Sequence, residues 1–433
     1  MLNKKPLELN ADFKYALDLL EKSNKSLFLT GRAGTGKSTF LRLFRKTTRK
    51  KMIVLAPTGI AALNVGGQTI HSFCGFPPRF LRSQDIKKSR RYHKLIKKLD
   101  VCVIDEISMV RADLLDAINL FFQKNRESYL PFGGIQMVFI GDLFQLPPII
   151  ASDVEQQYFE FNYQTPYFFS AHVLHAGFDI EMMELRKVYR QEQRHFLRLL
   201  DAVRLNRIDW EDLEDLNERY IPDFKPKDFY ITLSPRNYKV DQINNRELAK
   251  LPGPSEVYFA KIKGQFDPRQ YPTRAELELK VGAQVMFIRN DPENGAYVNG
   301  TLGKVVELHP DKVRVLIDDH GRKEEIDVEP VEWEILKYKL AGSAGSEEID
   351  TEVVGTFSQL PLRLAWAVTI HKSQGKTFDR VIIDMGKGAF EHGQTYVALS
   401  RCRSLEGIVL KQKIQMRDIM VDERIVEFYE QYF

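Results

Sequence analysis

Short apolar runs recur along the first third of the chain and are separated by polar or helical stretches. Four of them are SLFLT (26–30), MIVLA (52–56), VCVI (101–104) and QMVFI (136–140). Continuous apolar runs of this length are typical of parallel strands buried on both faces. Between the last two runs, RADLLDAINLFFQ (111–123) repeats its apolar residues at helical spacing. The alternation predicts an α/β fold with helices on both faces of a parallel sheet.

A second alternating block follows in the other half of the chain. Its strand-like runs are found in DFYITLSPRN (228–237), VIID (381–384) and GIVL (407–410). From about 281 to 335 the apolar period is two, and Asn299-Gly300 marks a turn, which predicts a small antiparallel barrel. We therefore predict a first domain over 1–178 and a second over 179–433, the second interrupted by a barrel at about 281–352.

A glycine-rich turn, GRAGTGKS, links the first predicted strand to a helix. In the spacing G-x-x-x-x-G-K-S, backbone N–H groups surround a phosphate and the lysine reaches the outer phosphates, while the serine hydroxyl is placed for Mg²⁺. The alternative is a plain turn between a strand and a helix, but the flanking elements favour a nucleotide site. Its predicted residues are Gly31, Ala33, Gly34, Thr35, Gly36, Lys37, Ser38 and Thr39.

Two further segments place polar side chains directly after predicted strands. VIDE (103–106) ends the third strand with Asp105, suited to Mg²⁺ through its hydration shell, and Glu106, suited to deprotonate an attacking water. This pair indicates a hydrolase. GDLFQLPP (141–148) places Gln145 where it could contact a γ-phosphate, although loop amides are also common turn residues.

Charge and cysteine content exclude few function classes. Lys and Arg number 63 against 59 for Asp and Glu, and the net charge of +4 neither demands nor excludes a polyanionic partner. The cysteines Cys74, Cys102 and Cys402 form no C-x-x-C pair, so neither a disulfide framework nor a zinc site is indicated. No apolar run is long enough to span a membrane and no signal peptide precedes the first motif, so we expect a soluble intracellular protein.

Seven segments occur along the chain in this order: GRAGTGKS, APTGIAALNVGGQTIHSF, VIDEISMV, GDLFQLPP, LRKVYRQ, LRLAWAVTIHKSQGKTFD and QTYVALSRCRS. Together they resemble the motifs of superfamily-one helicases, and most closely those of the Pif-one-like family, whose relatives include RecD-like and Dda-like enzymes. The resemblance extends from about Leu7 to Arg417 and is most specific in VIDEISMVRADLLDAI and TIHKSQG.

The resemblance implies two RecA-like parallel-sheet P-loop domains in tandem, with a small antiparallel SH3-like β-barrel inserted in the second. It implies an ATP- and Mg²⁺-dependent motor that moves 5′ to 3′ on single-stranded DNA and opens forked or structured DNA. Family members act in repair, recombination, telomere maintenance and G-quadruplex unfolding, and RNA–DNA hybrids are further substrates. They work as monomers away from membranes, in the cytoplasm or nucleoid of bacteria and in the nucleus otherwise.

Carried over by motif, the resemblance assigns roles to several residues. Lys37 and Ser38 bind phosphate and Mg²⁺, Asp105 holds the metal, and Glu106 is the base. Gln145 senses the γ-phosphate. Two arginine fingers, Arg190 and Arg401, stabilise the transition-state charge. Gln374 and Gly375 border the nucleotide from the second domain. Either arginine taken alone could equally be an ordinary surface or ion-pair residue.

The resemblance also indicates a DNA groove and a strand-separating wedge at about 75–95. Hydroxyls, amides and a lysine supply contacts to phosphates without reading sequence. Both histidines of the groove could instead be structural. The expected DNA-binding residues are Thr58, Thr69, His71, Pro147, Asn237, Asn299, Thr369, His371 and Lys372.

One departure from the family concerns adenine. Related chains begin with a segment whose glutamine contacts adenine, but LELNADFKYAL (7–17) has no such glutamine, and Asn10 is a possible substitute. Two other functions stay open: a RecD-like or Dda-like translocase that acts within a complex, and a nucleotide-regulated protein that binds single strands without turnover.

Overall fold

The structure is a computed structural model that describes residues 10–77, 81, 83–150, 152–191, 193–291, 296–319, 322–341 and 348–433. The chain divides into two compact units. The first contains the segment that ends at Val188, together with Glu334–Gly355 and Glu423–Phe433. The second contains Tyr189–Trp333 and Thr356–Asp422. No helix of the described residues is long and apolar enough to cross a membrane.

The first unit is built around a parallel sheet. Its strands are β1 (Ser26–Gly31), β2 (Met52–Ala56), β3 (Gln68–Thr69), β4 (Val101–Asp105), β5 (Gln136–Ile140) and β6 (Ile180–Leu185). Its helices are α1 (Ala11–Lys22), α2 (Lys37–Thr47), α3 (Gly59–Val65), α4 (Ile70–Cys74), α5 (His93–Lys97), α6 (Ala112–Arg126), α7 (Asp153–Asn162) and α8 (His172–His175).

The strands of this sheet run in the order β3-β2-β4-β5-β1-β6 with parallel pairing throughout. The four predicted strands are confirmed, because each apolar run is buried between helices on both faces. Leu27 and Leu29 of β1 pack with Phe40 and Phe44 of α2 in one apolar cluster. β1 therefore lies inside the sheet, between β5 and β6, and carries the phosphate loop at its end.

A hairpin formed by the strands Val331–Ala341 and Glu348–Gln359 covers the edge of this sheet. Beyond Val54, strand β2 has only the two-residue strand β3 as its outer neighbour. The Tyr338 hydroxyl donates to Val54 O (3.1 Å) and accepts from Val54 N (2.8 Å). An edge strand leaves backbone N–H and C=O groups unpaired, and here the buried Tyr338 hydroxyl pairs with both backbone groups of Val54. Phe73 packs edge-to-face on the same ring.

The second unit contains a second parallel sheet and an antiparallel region. The strands of this half of the chain are β7 (Ile231–Ser234), β8 (Glu256–Phe259), β9 (Lys261–Gly264), β10 (Glu276–Leu279), β11 (Gln284–Phe287), β12 (Leu302–Leu308), β13 (Val313–Asp319), β14 (Arg322–Val328), β15 (Val331–Ala341), β16 (Glu348–Gln359), β17 (Leu362–Leu364), β18 (Ala367–Thr369), β19 (Val381–Ile383) and β20 (Ile408–Leu410). Most of β15 and β16, the two strands of the hairpin, belongs to the first unit. The remaining helices are α9 (Arg194–Arg204), α10 (Trp210–Asn217), α11 (Asn237–Lys250), α12 (Ile370–Ser373), α13 (Gln394–Leu399) and α14 (Glu423–Tyr432), the last of which belongs to the first unit.

The parallel sheet has the order β18-β7-β19-β20, and the antiparallel sheet has the order β14-β13-β12-β11-β17. Together with the first sheet, they confirm the predicted fold class. Antiparallel pairing extends further than the predicted 281–352, because β8 pairs with β10 before it and β17 pairs with β11 after it. These partners are distant in sequence, so no local pattern marks them. The domain bounds 1–178 and 179–433 remain a prediction, and residues 78–80 and 82 of the expected wedge lie outside the described residues.

Candidate functional site

The phosphate loop connects the end of β1 to the start of α2. Gly31, Gly34 and Gly36 have φ angles of +147°, +84° and +94°, which favour glycine. A Cβ on Gly31 would lie 2.7 Å from both Leu185 O and Thr35 Oγ1. The glycines therefore allow a backbone path for the loop that residues with side chains would distort.

Lys37 lies over this loop as the first residue of α2. Its ammonium donates to Gly31 O (2.5 Å) and Arg32 O (3.1 Å), while the buried Thr35 hydroxyl also donates to Arg32 O. Ala33 is buried within the loop, and Ser38 and Thr39 follow in the first turn of the helix. All predicted phosphate-loop residues thus lie in one turn around the lysine.

The acidic pair lies at the end of β4. Burial and the neighbouring Glu106 raise the pKa of Asp105 to about 7, although Lys37 and a hydrogen bond to the Glu106 backbone oppose the shift. Glu106 has a left-handed backbone (φ +52°), a strained conformation for a residue with a side chain. Two adjacent carboxyl groups that repel each other suit a divalent cation, which would remove their mutual repulsion.

Mg²⁺ would use few protein ligands here. Across the part of the chain that the structure describes, no group of three or more His, Cys, Asp or Glu side chains could hold a metal. Mg²⁺ needs only one or two carboxylates when water and phosphate oxygens complete its shell. Ser38 and Asp105 fit that pattern.

The raised pKa of Asp105 predicts that the folded protein loses stability as the pH rises. In the unfolded chain Asp105 ionises near pH 3.8, so between about pH 4 and pH 7 the folded protein binds more protons and loses stability as pH rises. Asp105→Asn should remove this loss and raise the Tm at pH 8 by roughly 2 °C or more without nucleotide or metal. Thermal unfolding from pH 5 to 8 measures it, with the exposed Asp179→Asn as control. A Tm difference that is independent of pH would contradict the burial argument.

The loop Gly141–Pro148, here called the sensor loop, follows β5. The Gln145 amide donates to Asp142 Oδ2 (3.1 Å), and Phe144 N donates to Asp142 Oδ1 (3.3 Å). A Cβ on Gly141 would lie 2.9 Å from Ile107 Cγ2, so the loop passes beside the residue that follows Glu106. The carboxyl ends of the strands thus bring the phosphate loop, the acidic pair and Gln145 to one edge of the first sheet, where open α/β sheets bind ligands.

Arg190 and Arg401 lie together in the second unit. The Arg190 guanidinium donates to Ser400 O (3.1 Å), and Arg401, 1% exposed, donates to Val397 O and Ser400 Oγ. Burial and the neighbouring Arg401 lower the pKa of Arg190 to about 9. The partly buried Arg190 and the buried Arg401 repel each other, and an anion between them would offset that cost.

Other polar groups surround this pair. Gln374 Nε2 is buried without a hydrogen-bond partner among the described residues, and Gly375 follows with a positive φ of +73°. Sequence reasoning missed Gln191, whose amide donates to Ser400 O and Cys402 O. It also missed Lys376, whose pKa is lowered to about 7 by burial, Arg363 and Arg401. Gln191 directly follows Arg190 in VYRQ, and Lys376 directly follows Gly375 in HKSQGK. The sequence signal for each residue was its position next to a predicted site residue.

The first unit places its predicted DNA-binding residues beside β2 and β3. Ala56 pairs with Thr69, so Thr58, two residues beyond Ala56, lies at the same edge. Thr58 and Thr69 cap α3 and α4, where each hydroxyl oxygen accepts a backbone N–H at 3.2 Å and keeps its proton for a phosphate. Burial and Arg111 lower the pKa of His71. Pro147 instead lies in the sensor loop.

The second unit repeats this arrangement. Thr369 caps α12 by accepting a hydrogen bond from Lys372 N (3.3 Å). It pairs with Ser234, three positions before α11 begins at Asn237. His371 Nε2 lies 3.3 Å from a Glu391 carboxylate oxygen, which supports the structural alternative for this histidine.

Two asparagines complete the comparison with the sequence. The Asn299 side-chain oxygen is buried and, within the described ranges, has no hydrogen-bond partner. It is therefore able to accept a hydrogen bond from a bound ligand. Asn10 Oδ1 accepts from Phe13 N (2.8 Å) and caps α1. This capping hydrogen bond accounts for Asn10 without any contact to adenine. That Asn10 contacts adenine in place of the glutamine of related chains therefore stays a prediction.

Comparisons with known proteins show which family this chain resembles. The family described as PIF1-like helicase matches residues 8–214, and the DNA helicase Pif1 2B domain matches residues 269–308. The ATP-dependent DNA helicase Pif1 of Bdellovibrio bacteriovorus is 34% identical, over 98% of this chain and 92% of that protein. The match to the Saccharomyces cerevisiae PIF1 helicase, 29% identical, covers 98% of this chain but 62% of that protein.

Solved structures give the same result. Bacteroides Pif1 in complex with ADP-AlF4 is 36% identical with a TM-score of 0.88, over 98% of this chain and 97% of that chain. Bacteroides Pif1 bound to single-stranded DNA is 37% identical with a TM-score of 0.68 and the same coverage. The resemblance inferred from the motifs is confirmed. Because the relative from Bdellovibrio exceeds 30% identity over nearly both chains, this chain belongs to the Pif1-like family of ATP-dependent DNA helicases.

Proposed function

We propose that this chain uses ATP hydrolysis to move 5′ to 3′ along single-stranded DNA and to separate duplexes. The observation that carries the proposal is the gathering of Lys37, Asp105, Glu106 and Gln145 at one edge of the first sheet. The solved Bacteroides relatives, bound to ADP-AlF4 and to single-stranded DNA, support both halves of it.

Hydrolysis in this proposal uses residues of the first unit. The loop N–H groups and Lys37 hold the β- and γ-phosphates of ATP, and Gln145 orients the attacking water. The water oxygen bonds to the γ-phosphorus, the bond to the bridging oxygen breaks, and the water proton passes to Glu106. Mg²⁺, held by Ser38 and Asp105, would supply charge neutralisation at the phosphates. Glu106 then returns the proton to solvent.

Residues of the second unit complete the chemistry. Arg190 and Arg401 supply positive charge to the γ-phosphate in the transition state, because both guanidinium groups are held beside Ser400, where an anion would reduce their mutual repulsion. We assign Gln374 and Gly375 to the border of the nucleotide, where the buried Gln374 amide lacks a partner among the described residues.

The two threonine-lined edges are proposed to hold the DNA strand. Thr58, Thr69 and Thr369 keep hydroxyl protons for phosphates, and Lys372 adds a positive charge. The further groove residues are His71, Pro147, Asn237, Asn299 and His371. Such contacts ignore base sequence, so forks, RNA–DNA hybrids and G-quadruplexes are all candidate substrates in repair, recombination or telomere maintenance. We propose a monomer as the active form.

The polarity of movement is tested with duplexes that carry a single-stranded tail at either the 5′ or the 3′ side. We expect the purified chain, with ATP and Mg²⁺, to open only the 5′-tailed duplex. Gel separation of the strands measures this, with a blunt duplex as control. Opening of the 3′-tailed duplex alone would reverse the proposed direction. Hydrolysis without opening of any duplex would favour a translocase that acts within a complex.

A further inference from the structure

Helix α14 belongs to the first unit, although the chain that leads to it belongs to the second. The division between the units falls between Asp422 and Glu423, at the start of the helix. The aromatic side of α14 packs against the first sheet. The Phe428 ring lies 6.5 Å from the Phe28 ring of β1 and stacks on the Phe169 ring at 4.3 Å, both measured between ring centroids.

Tyr429 of this helix makes two contacts that differ in kind. Its ring meets the Phe144 ring edge-to-face, with centroids 5.3 Å apart and an interplanar angle of 80°. Its hydroxyl donates to the Glu184 carboxylate, whose two oxygens lie at 2.8 and 2.9 Å. The hydroxyl contact fixes the position of the ring, and the ring contact fixes Phe144.

These partners lie on both sides of the phosphate-loop strand. Glu184 belongs to β6 and pairs with Thr30 of β1, while Phe144 follows β5, the other neighbour of β1. Tyr429 therefore connects the ends of the two strands that flank β1. Its contact with Phe144 reaches the residue directly before Gln145.

Phe144 is suited to transmit this contact. It is 3% exposed, and its backbone N–H is held by Asp142, the same side chain that accepts the Gln145 amide. A shift of the Phe144 ring would therefore move a short loop segment closed by two hydrogen bonds. That movement would displace the Gln145 amide from the γ-phosphate.

We propose that Tyr429 is a positioning residue for ATP hydrolysis, whose ring holds Phe144 and thereby the sensor residue Gln145. The inference rests on the proposed role of Gln145 in sensing the γ-phosphate. It gives α14, at the far end of the sequence, a part in the chemistry of the first unit. Edge-to-face aromatic contacts are of a size to change a rate by roughly fivefold to tenfold.

The test is steady-state ATP hydrolysis of full-length variants at saturating single-stranded DNA. We expect Tyr429→Ala to lower kcat by roughly fivefold to tenfold with KM for ATP within about twofold, because the sensor acts on the transition state. Tyr429→Phe keeps the ring and should restore most of kcat. Tyr432→Ala is the matched control, since this tyrosine of α14 is 45% exposed and packs on Phe428.

A double variant shows whether Tyr429 acts through Gln145. In a Gln145→Ala background, Tyr429→Ala should cause no further loss of kcat, whereas an independent structural effect would multiply. A multiplied loss, an equal loss in Tyr432→Ala, or a changed KM with normal kcat would overturn the inference. If Tyr429→Ala does not fold, Tyr429→Leu fills the space without an aromatic edge and should give the same loss, and normal kcat in it would also overturn the inference.

The same series separates this inference from the function on which it rests. If Gln145→Ala slows turnover while Tyr429→Ala does not, the sensor role stands and the positioning role is wrong. If Gln145→Ala leaves kcat unchanged, the proposed sensor role itself is wrong and the inference falls with it.

Discussion

Arg190→Ala is expected to slow ATP hydrolysis by roughly a thousandfold or more while ATP still binds, as for arginine fingers elsewhere. The Arg190 guanidinium is held by Ser400 O beside the buried Arg401, so its position is fixed before the transition state forms. Removing it takes away charge that is needed only as the γ-phosphate leaves. Single-turnover hydrolysis measures the chemical step, and a fluorescent ATP analogue measures binding.

Two further variants make this test specific. Arg190→Lys keeps a positive charge but loses the planar fork, so it should recover little of the rate. Arg194→Ala removes an exposed arginine at the start of α9 and should leave the rate unchanged. A near-normal rate in Arg190→Ala would remove this residue from the site.

Lys37→Ala is expected to lower the rate of ATP turnover by roughly a hundredfold to a thousandfold, which is the effect of losing one preorganised hydrogen-bond donor. The Lys37 ammonium lies over the loop at Gly31 O and Arg32 O, within reach of bound phosphates. Binding of single-stranded DNA should persist, because Thr58 and Thr69 lie at the ends of β2 and β3, which β4 and β5 separate from β1 and its loop. Steady-state hydrolysis and fluorescence anisotropy with a labelled oligonucleotide give the two readings.

The control for this variant is Lys46→Ala, which removes an exposed lysine from the last turn of the same helix. It should change neither reading. Loss of both hydrolysis and DNA binding in a folded Lys37→Ala protein would mean that the loop is structural, contrary to the account given above.

Local patterns predicted the parts of the fold that depend on local burial. The runs at 52–56 and 136–140 coincide with β2 and β5, because strands buried on both faces consist mostly of apolar residues. The phosphate loop, the acidic pair and the sensor loop followed from their positions after such strands. The pairing of Arg190 with Arg401 is not encoded locally, and their placement together followed only from the family resemblance.

Contacts between distant segments could not be predicted. Tyr338 covers the Val54 backbone although 284 positions separate them in sequence, and α14 returns to the first unit through Tyr429. Neither residue stands in a motif, and both appear in the sequence as ordinary aromatic core residues. Lys376 was missed for a related reason, since its environment is made by Arg363 and Arg401 from other elements.

The central claim is that ATP turnover in this chain serves movement on single-stranded DNA. The most direct test measures steady-state ATP hydrolysis with and without single-stranded DNA, using Lys37→Ala to establish the background. We expect DNA to stimulate hydrolysis by roughly tenfold or more, within the range of coupling between binding sites. The claim would be contradicted if Lys37→Ala abolishes hydrolysis but the unchanged chain hydrolyses ATP at the same rate with and without DNA. The nucleotide site would then work independently of single-stranded DNA.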